Sequence, residues 1–201
     1  MRYSFSGHES FHCKSLWLKK GYDYLKQGKS FNDVDSVMTL GVGKNMVSSI
    51  RFWMKAFSLS ENDQLNDIAN YIFNEDGGKD PFCEDIATLW ILHFLLVNSG
   101  VSNIYNLAFI DFQRERKEFD REQLQTFIKR KCAVPEQKNV YNENTVKKDI
   151  FVFLQTYIAP TDLKQIERFT AILINLNLIK DVENGKYRFN DLDLGTIGGL
   201  P

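Results

Sequence analysis

Residues 33–57 read Asp33-Val-Asp-Ser-Val-Met-Thr-Leu-Gly-Val-Gly-Lys-Asn-Met-Val-Ser-Ser-Ile-Arg-Phe-Trp-Met-Lys-Ala-Phe57, and this stretch decides the fold. Apolar Val34, Val37, Met38 and Leu40 mark a short first helix. Gly41 stands where that helix must end in a left-handed residue, a conformation glycine adopts at least cost. A turn of a few residues then leads into a second helix, and Val37, Gly41, Val42, Val47 and Ile50 supply the small and apolar residues a packed helix-turn-helix corner needs. On a helical wheel Met46, Val47, Ile50, Trp53, Met54 and Phe57 form the inward face of the second helix. Lys44, Asn45, Ser48, Ser49, Arg51, Phe52 and Lys55 lie opposite, with no carboxylate among them. Arg suits guanine edges, Asn suits adenine, and hydroxyls and Lys suit phosphates, so this face has the chemistry of a duplex-DNA major-groove contact. The competing expectation is a helical hairpin whose polar face is merely solvated or meets a protein partner, including a second copy in a homodimer.

Charge and composition outside this stretch narrow the class. The chain has 201 residues with a formal net charge of −1, which by itself does not favour nucleic acid. Its distribution is uneven: Lys14–Lys29 carries five lysines against Asp23 alone, and Glu61–Asp85 carries eight acids against Lys79. A basic face and an acidic face can therefore coexist. No apolar run reaches the ~18 residues of a membrane span; the run Leu89–Val97 is interrupted by His93. The first residues lack the apolar core of a secretory signal. Cys13, Cys83 and Cys132 are odd in number and scattered, which argues against a disulfide framework or a four-cysteine zinc site and for a reducing cytoplasmic setting.

Helical periodicity dominates the remainder. Helices are expected over Cys13–Gln27, Asp33–Leu40, Lys44–Phe57, Leu65–Phe73, Asp85–Asn98, Ile104–Glu115, Asp120–Lys131, Asn144–Ile158 and Leu163–Leu178, with Asp120 and Asn144 as N-caps. Near the end, Asn184-Gly185 between short runs with β-branched and aromatic residues signals a hairpin. A helix followed by a hairpin is how a winged-helix unit finishes. The expected architecture is mainly α. It has an N-terminal helical domain over 1–132 bearing the helix-turn-helix, a linker near 133–142, and a winged-helix-like domain over 143–201 that ends without a closing element, as a fragment would.

His8-Glu9-Ser10-Phe11-His12 matches the H-E-x-x-H pattern, in which two histidines on one helical face hold zinc and the Glu serves as base. Ser6-Gly7 stands against a helix there, so the alternative is a segment pinned to the core by hydrogen bonds from His8, Glu9 and His12. His93, in an apolar helix, is expected to be buried and hydrogen-bonded. The acidic stretch Glu75–Asp85 reads as a solvated turn and helix cap, with a divalent cation as the alternative. Arg114–Lys117 and Lys129–Lys131 are basic stretches that serve as solvated faces or, beside a DNA-binding corner, as phosphate contacts.

Taken together, several stretches carry a resemblance: Phe5-Ser-Gly-His-Glu-Ser-Phe-His12, Trp17-Leu-Lys-Lys-Gly-Tyr22, Leu40-Gly-Val-Gly-Lys-Asn-Met-Val-Ser-Ser-Ile-Arg-Phe-Trp53, Asp80-Pro81 and Glu84-Asp85-Ile-Ala-Thr-Leu-Trp-Ile-Leu-His93. They resemble a bacterial family of unknown function whose members accompany DNA phosphorothioation and phage-defence genes and which includes the DNA-nicking SspB component. Many relatives have Arg where this chain has Lys14. The resemblance implies a DNA-binding component of a bacterial defence system that works with other defence proteins, and it raises metal-dependent nicking. It places the family's first motif on Gly7, His8 and Glu9 and its turn motif on Gly41–Asn45. If nuclease chemistry is present, the arrangement to test is a divalent metal held by His8, Glu9, His12 and an acid such as Asp33. A scaffold subunit without DNA contact is the alternative function.

Overall fold

Two glycines shape the corner read first from the sequence. In the computed structural model, which describes residues 2–160 and 171–190, helix α2 (Ser36–Leu40) ends at Gly41, whose φ of 62° is left-handed. The N–H groups of Gly41 and Val42 fold back onto the carbonyls of Met38 and Val37, which satisfies the orphaned end of the helix. Gly43 then opens helix α3 (Lys44–Ala56) from an extended conformation, without a side-chain cap. α2 starts later than expected. The Asp33 carboxylate accepts from the Ser30 N–H at 2.8 Å and faces the Tyr24 hydroxyl at 3.5 Å; such local bonding competes with a helical turn.

Helix α1 (Trp17–Lys26) packs on α3. It too starts late, because Cys13 and Lys14 pair instead with residues 171–172: Lys14 bridges Ala171, and the Ile172 N–H donates to the Cys13 carbonyl at 3.0 Å. Strands β1 (Ser60–Glu61) and β2 (Gln64–Leu65) form a small hairpin after α3. Asn66 and Asp85 cap α4 (Asp67–Phe73) and α5 (Ile86–Asn98) through their side chains, so the acidic stretch supplies the helix cap expected of it. The helix expected over 104–115 is broken into α6 (Asn103–Asn106), a π-helical segment (Leu107–Phe112) and α7 (Gln113–Glu115). Among the described residues no single helix is long and apolar enough to cross a membrane.

Strand β3 (Glu118–Asp120) leads into α8 (Arg121–Lys131), where Asp120 and Gln123 form a reciprocal capping box. α9 (Glu143–Tyr157) is capped by Asn142 rather than Asn144, through the Thr145 N–H. Of the helix expected over Leu163–Leu178, residues 163–170 lie outside the described residues. Residues Ile174–Leu176 form one 3₁₀ turn. The expected hairpin is present as β4 (Ile179–Asp181) and β5 (Lys186–Phe189). Asn184 and Gly185 both have positive φ, and the Lys186 N–H closes the turn onto the Glu183 carbonyl. Strand β3 joins them, giving the antiparallel order β3-β5-β4.

The apolar core runs across the described residues, from Trp53 and Met54 of α3 and Phe57 at its end through Tyr105 to Phe153 and Tyr157 of α9 and Phe189 of β5. The extended N-terminal segment ties these parts together. Tyr3 N–H donates to the Gln137 side chain at 2.7 Å, Ser4 N–H to Asn103 Oδ1 at 2.7 Å, and Trp53 Nε1–H to the Phe11 carbonyl at 3.1 Å. Residues on both sides of 133–142 thus share one sheet and one core.

Candidate functional site

Two features bear on function: the outer face of α3, and the turn at residues 6–10 that packs against it. On α3, Lys44, Asn45, Ser48 and Lys55 are exposed. Gly43 supplies no side-chain cap to the helix start. The Met46 N–H turns back onto the Gly43 carbonyl at 2.9 Å, and the N–H groups of Lys44 and Asn45 before it stand where an anion can be met. The other three residues of the predicted face are engaged. Ser49 is fully buried and donates its hydroxyl to the His8 carbonyl at 3.0 Å. Arg51 donates Nε to Asp63 at 2.9 Å and Nη1 to Asn32 at 2.9 Å. Asp63 in turn accepts from the Ser30 hydroxyl and the Phe31 N–H, so Arg51 anchors the loop before α2. Phe52 is half-buried, with its ring edge-on to His8 and Trp53. A helical wheel places Ser49 and Phe52 outward because it contains no information about residues 7–8, which cover them.

The turn at 6–10 is built from unusual backbone. Ser6, Gly7, Glu9 and Ser10 have φ of 73°, 104°, 49° and 64°; runs of left-handed residues cost energy and recur at functional sites. Gly7 is required twice over, since a Cβ there would also stand 2.6 Å from Phe52 Cδ2. What holds the turn is Asp149 on α9. Its buried carboxylate accepts from the Ser6 N–H at 3.0 and 3.1 Å and meets His8 Nε2 at 2.8 Å. The Ser10 N–H donates to His8 Nδ1 at 3.1 Å. An Nδ1 that accepts carries no proton, so Nε2 carries it and donates to Asp149.

This arrangement does not fit the predicted metal site. Both ring nitrogens of His8 are committed, leaving no lone pair for a cation. His8–Ser10 form a turn rather than a helix, so the i, i+4 geometry that would align His8 with His12 is absent; His12 is buried. Asp33 is bonded to Ser30 and lies with the loop before α2. Among the described residues no three His, Cys, Asp or Glu side chains are grouped to hold a metal ion. Asp149 is the partner that sequence reasoning missed; its one signal was a carboxylate falling on the apolar face of α9 beside Val146, Ile150 and Phe153.

Of the other predicted positions, His93 is half-buried, with Nδ1 2.9 Å from the Tyr157 hydroxyl, and burial pushes its pKa down to about 4. The basic stretches are partly neutralised: Arg130 pairs with Glu115 at 2.6 Å and Lys131 with Asp111 at 2.6 Å.

Comparison with known proteins places this geometry. An SspB crystal structure is similar over 94% of this chain and 60% of its own, at 26% identity and a TM-score of 0.79. A magnesium ion-bound SspB crystal structure matches over the same shares at 26% identity and a TM-score of 0.78. The chain therefore spans 60% of the length of these relatives. No curated protein sequence matches it. The model of a family described as "Protein of unknown function (DUF4007)" matches residues 5–198, a span that takes in the His8 turn, the α3 corner and Asp149, and the chain belongs to that family.

Proposed function

We propose that this chain is the DNA-binding part of a bacterial phosphorothioation-linked phage-defence component, using α2–Gly41–α3 as a helix-turn-helix. The observation that carries the reading is the exposed, acid-free edge of Lys44, Asn45, Ser48 and Lys55 on a helix whose start is uncapped. The similarity to SspB over nearly the whole chain supports the defence setting. Among the described residues, the second half supports a winged-helix reading through its order β3, α8, α9, β4 and β5, with sheet order β3-β5-β4. That unit would begin at strand β3, before residue 133. Nicking is not assigned to the His8 turn, whose nitrogens are occupied.

The test is a fluorescence titration of a short duplex, plain and phosphorothioated, at several salt concentrations. Lys44→Ala with Lys55→Ala is expected to weaken binding about tenfold and to reduce the slope of log K against log salt by roughly two, one per phosphate lost. Unchanged affinity would remove α3 from the interface. A second reading, a scaffold contact, is favoured by Val34 and Met38, which are 103% and 86% exposed at the start of the same corner. Met38→Asp should then abolish co-purification with defence partners or self-association, while the lysine variants leave the protein unaffected.

A further inference from the structure

We propose that the cleft beside His8 seats one phosphate of the DNA backbone, with Lys148 as its counter-charge; this rests on the DNA reading above. The cleft has a volume of about 210 Å³ and is lined by Ser6, Gly7, His8, Glu9, Ser10, Thr145, Lys148 and Asp149. Its position follows from Phe52. That ring lies against Gly7 and occupies the same stripe of α3 as Asn45, Ser48 and Lys55, which are spaced three and four residues apart along it. The cleft lies between the turn at 6–10 and α9, so the turn that forms one wall of it packs directly on α3 through Phe52 and Ser49. Residues 44–55 span roughly 17 Å of helix, and a duplex passes on the order of ten phosphates in that length. A duplex bound along α3 therefore has phosphates available to a seat on the neighbouring turn.

The chemistry of the lining suits a phosphate. Asp149 lines the cleft, but it is 1% exposed and its negative charge is compensated by the Ser6 N–H and by His8. Ser6, Ser10 and Thr145, each carrying a hydroxyl, are among the lining residues. Lys147, the adjacent lysine on α9, is held by Glu143 at 2.6 Å. Lys148 is exposed and has no ion pair among the described residues. Glu9, which also lines the cleft, is its one exposed carboxylate and opposes an anion.

The experiment measures duplex affinity against salt for the parent chain, Lys148→Ala, Lys147→Ala, Glu9→Gln and the Lys44/Lys55 double variant. Lys148→Ala is expected to weaken binding about fivefold and to lower the salt slope by about 0.9, the value for one phosphate. Lys147→Ala, which removes the same charge one residue away, should leave the slope unchanged. Glu9→Gln should tighten binding two- to threefold; weaker binding would mean Glu9 holds a cation, and would overturn the seat. If the Lys44/Lys55 variant weakens binding while Lys148→Ala behaves like Lys147→Ala, the seat is wrong and the α3 reading stands. If the parent binds no duplex, both fall. Inorganic phosphate, titrated while following the Gly7 and Ser10 amide resonances, separates the sources: saturation in the parent with unchanged duplex affinity in Lys148→Ala assigns the cleft to free phosphate and overturns the DNA seat.

Discussion

The α3 corner and the turn at 6–10 lie against each other and are made by opposite means. The corner is local: Gly41, Gly43 and a helical apolar period over 44–57 suffice to build it. The turn is almost wholly borrowed, since its conformation depends on Asp149, 141 residues away from His8, and on Ser49, 41 residues away. The difference teaches where function can be read. A locally built element displays its surface in its own sequence, but whatever packs over it edits that surface, as the turn does at Ser49 and Phe52.

If the turn is held from outside, the largest effect should come from Asp149→Ala. It strands the buried His8 N–H and removes the acceptor of the Ser6 N–H, and a loss of about 4 kcal/mol is expected in denaturant unfolding. A loss below about 1 kcal/mol would mean that the turn holds itself, and the contrast with the corner would fail. Next is Gly7→Ala, where left-handed backbone and overlap with Phe52 together should cost about 3 kcal/mol. Adding Phe52→Leu should recover part of that loss, and purely additive costs would show that the two elements do not press on each other.

Acid provides the third test, at His93, which packs among Phe109 and Tyr157 away from the turn. His93 titrates near 4 in the folded chain against an ordinary 6.5, so the unfolded chain takes up its proton first. Its neutral form therefore supports the fold above about pH 6.5, and that contribution drains away as pH falls toward 4. About 2–3 kcal/mol should be lost in that window, and His93→Gln should flatten the profile. Persistence of the full loss in His93→Gln would rule out His93 as its source. Smaller still, Ser49→Ala should cost about 1 kcal/mol, since the His8 carbonyl keeps its bond from the Phe11 N–H. Smallest of all, Lys55→Ala should change stability by less than about 0.5 kcal/mol while weakening duplex binding.

Much of the fold was legible because its signals act within one or two turns. The left-handed Gly41, the caps at Asp85 and Asp120 and the Asn184-Gly185 hairpin all rest on contacts between near neighbours in sequence. Errors fell where a distant partner competes. The first turn expected at Cys13 was taken by pairing with Ala171 and Ile172. The single helix expected over 104–115 became three segments, its Phe109 packed among His93, Phe153, Tyr157 and Phe189. At the candidate site, the H-E-x-x-H spacing assumed a helix that Ser6, Gly7, Glu9 and Ser10 replace with left-handed backbone.

By itself the sequence determined a mainly helical chain, a glycine-hinged corner and a polar, acid-free helix edge, because periodicity and capping are carried by residues that touch their own neighbours. Only the tertiary structure decided that His8 is locked between Ser10 and Asp149, that Ser49 faces inward, and that strand β3 completes the sheet of the late hairpin. Those outcomes depend on which distant donor meets which buried acceptor, and buried polar groups must find partners wherever the folded chain puts them.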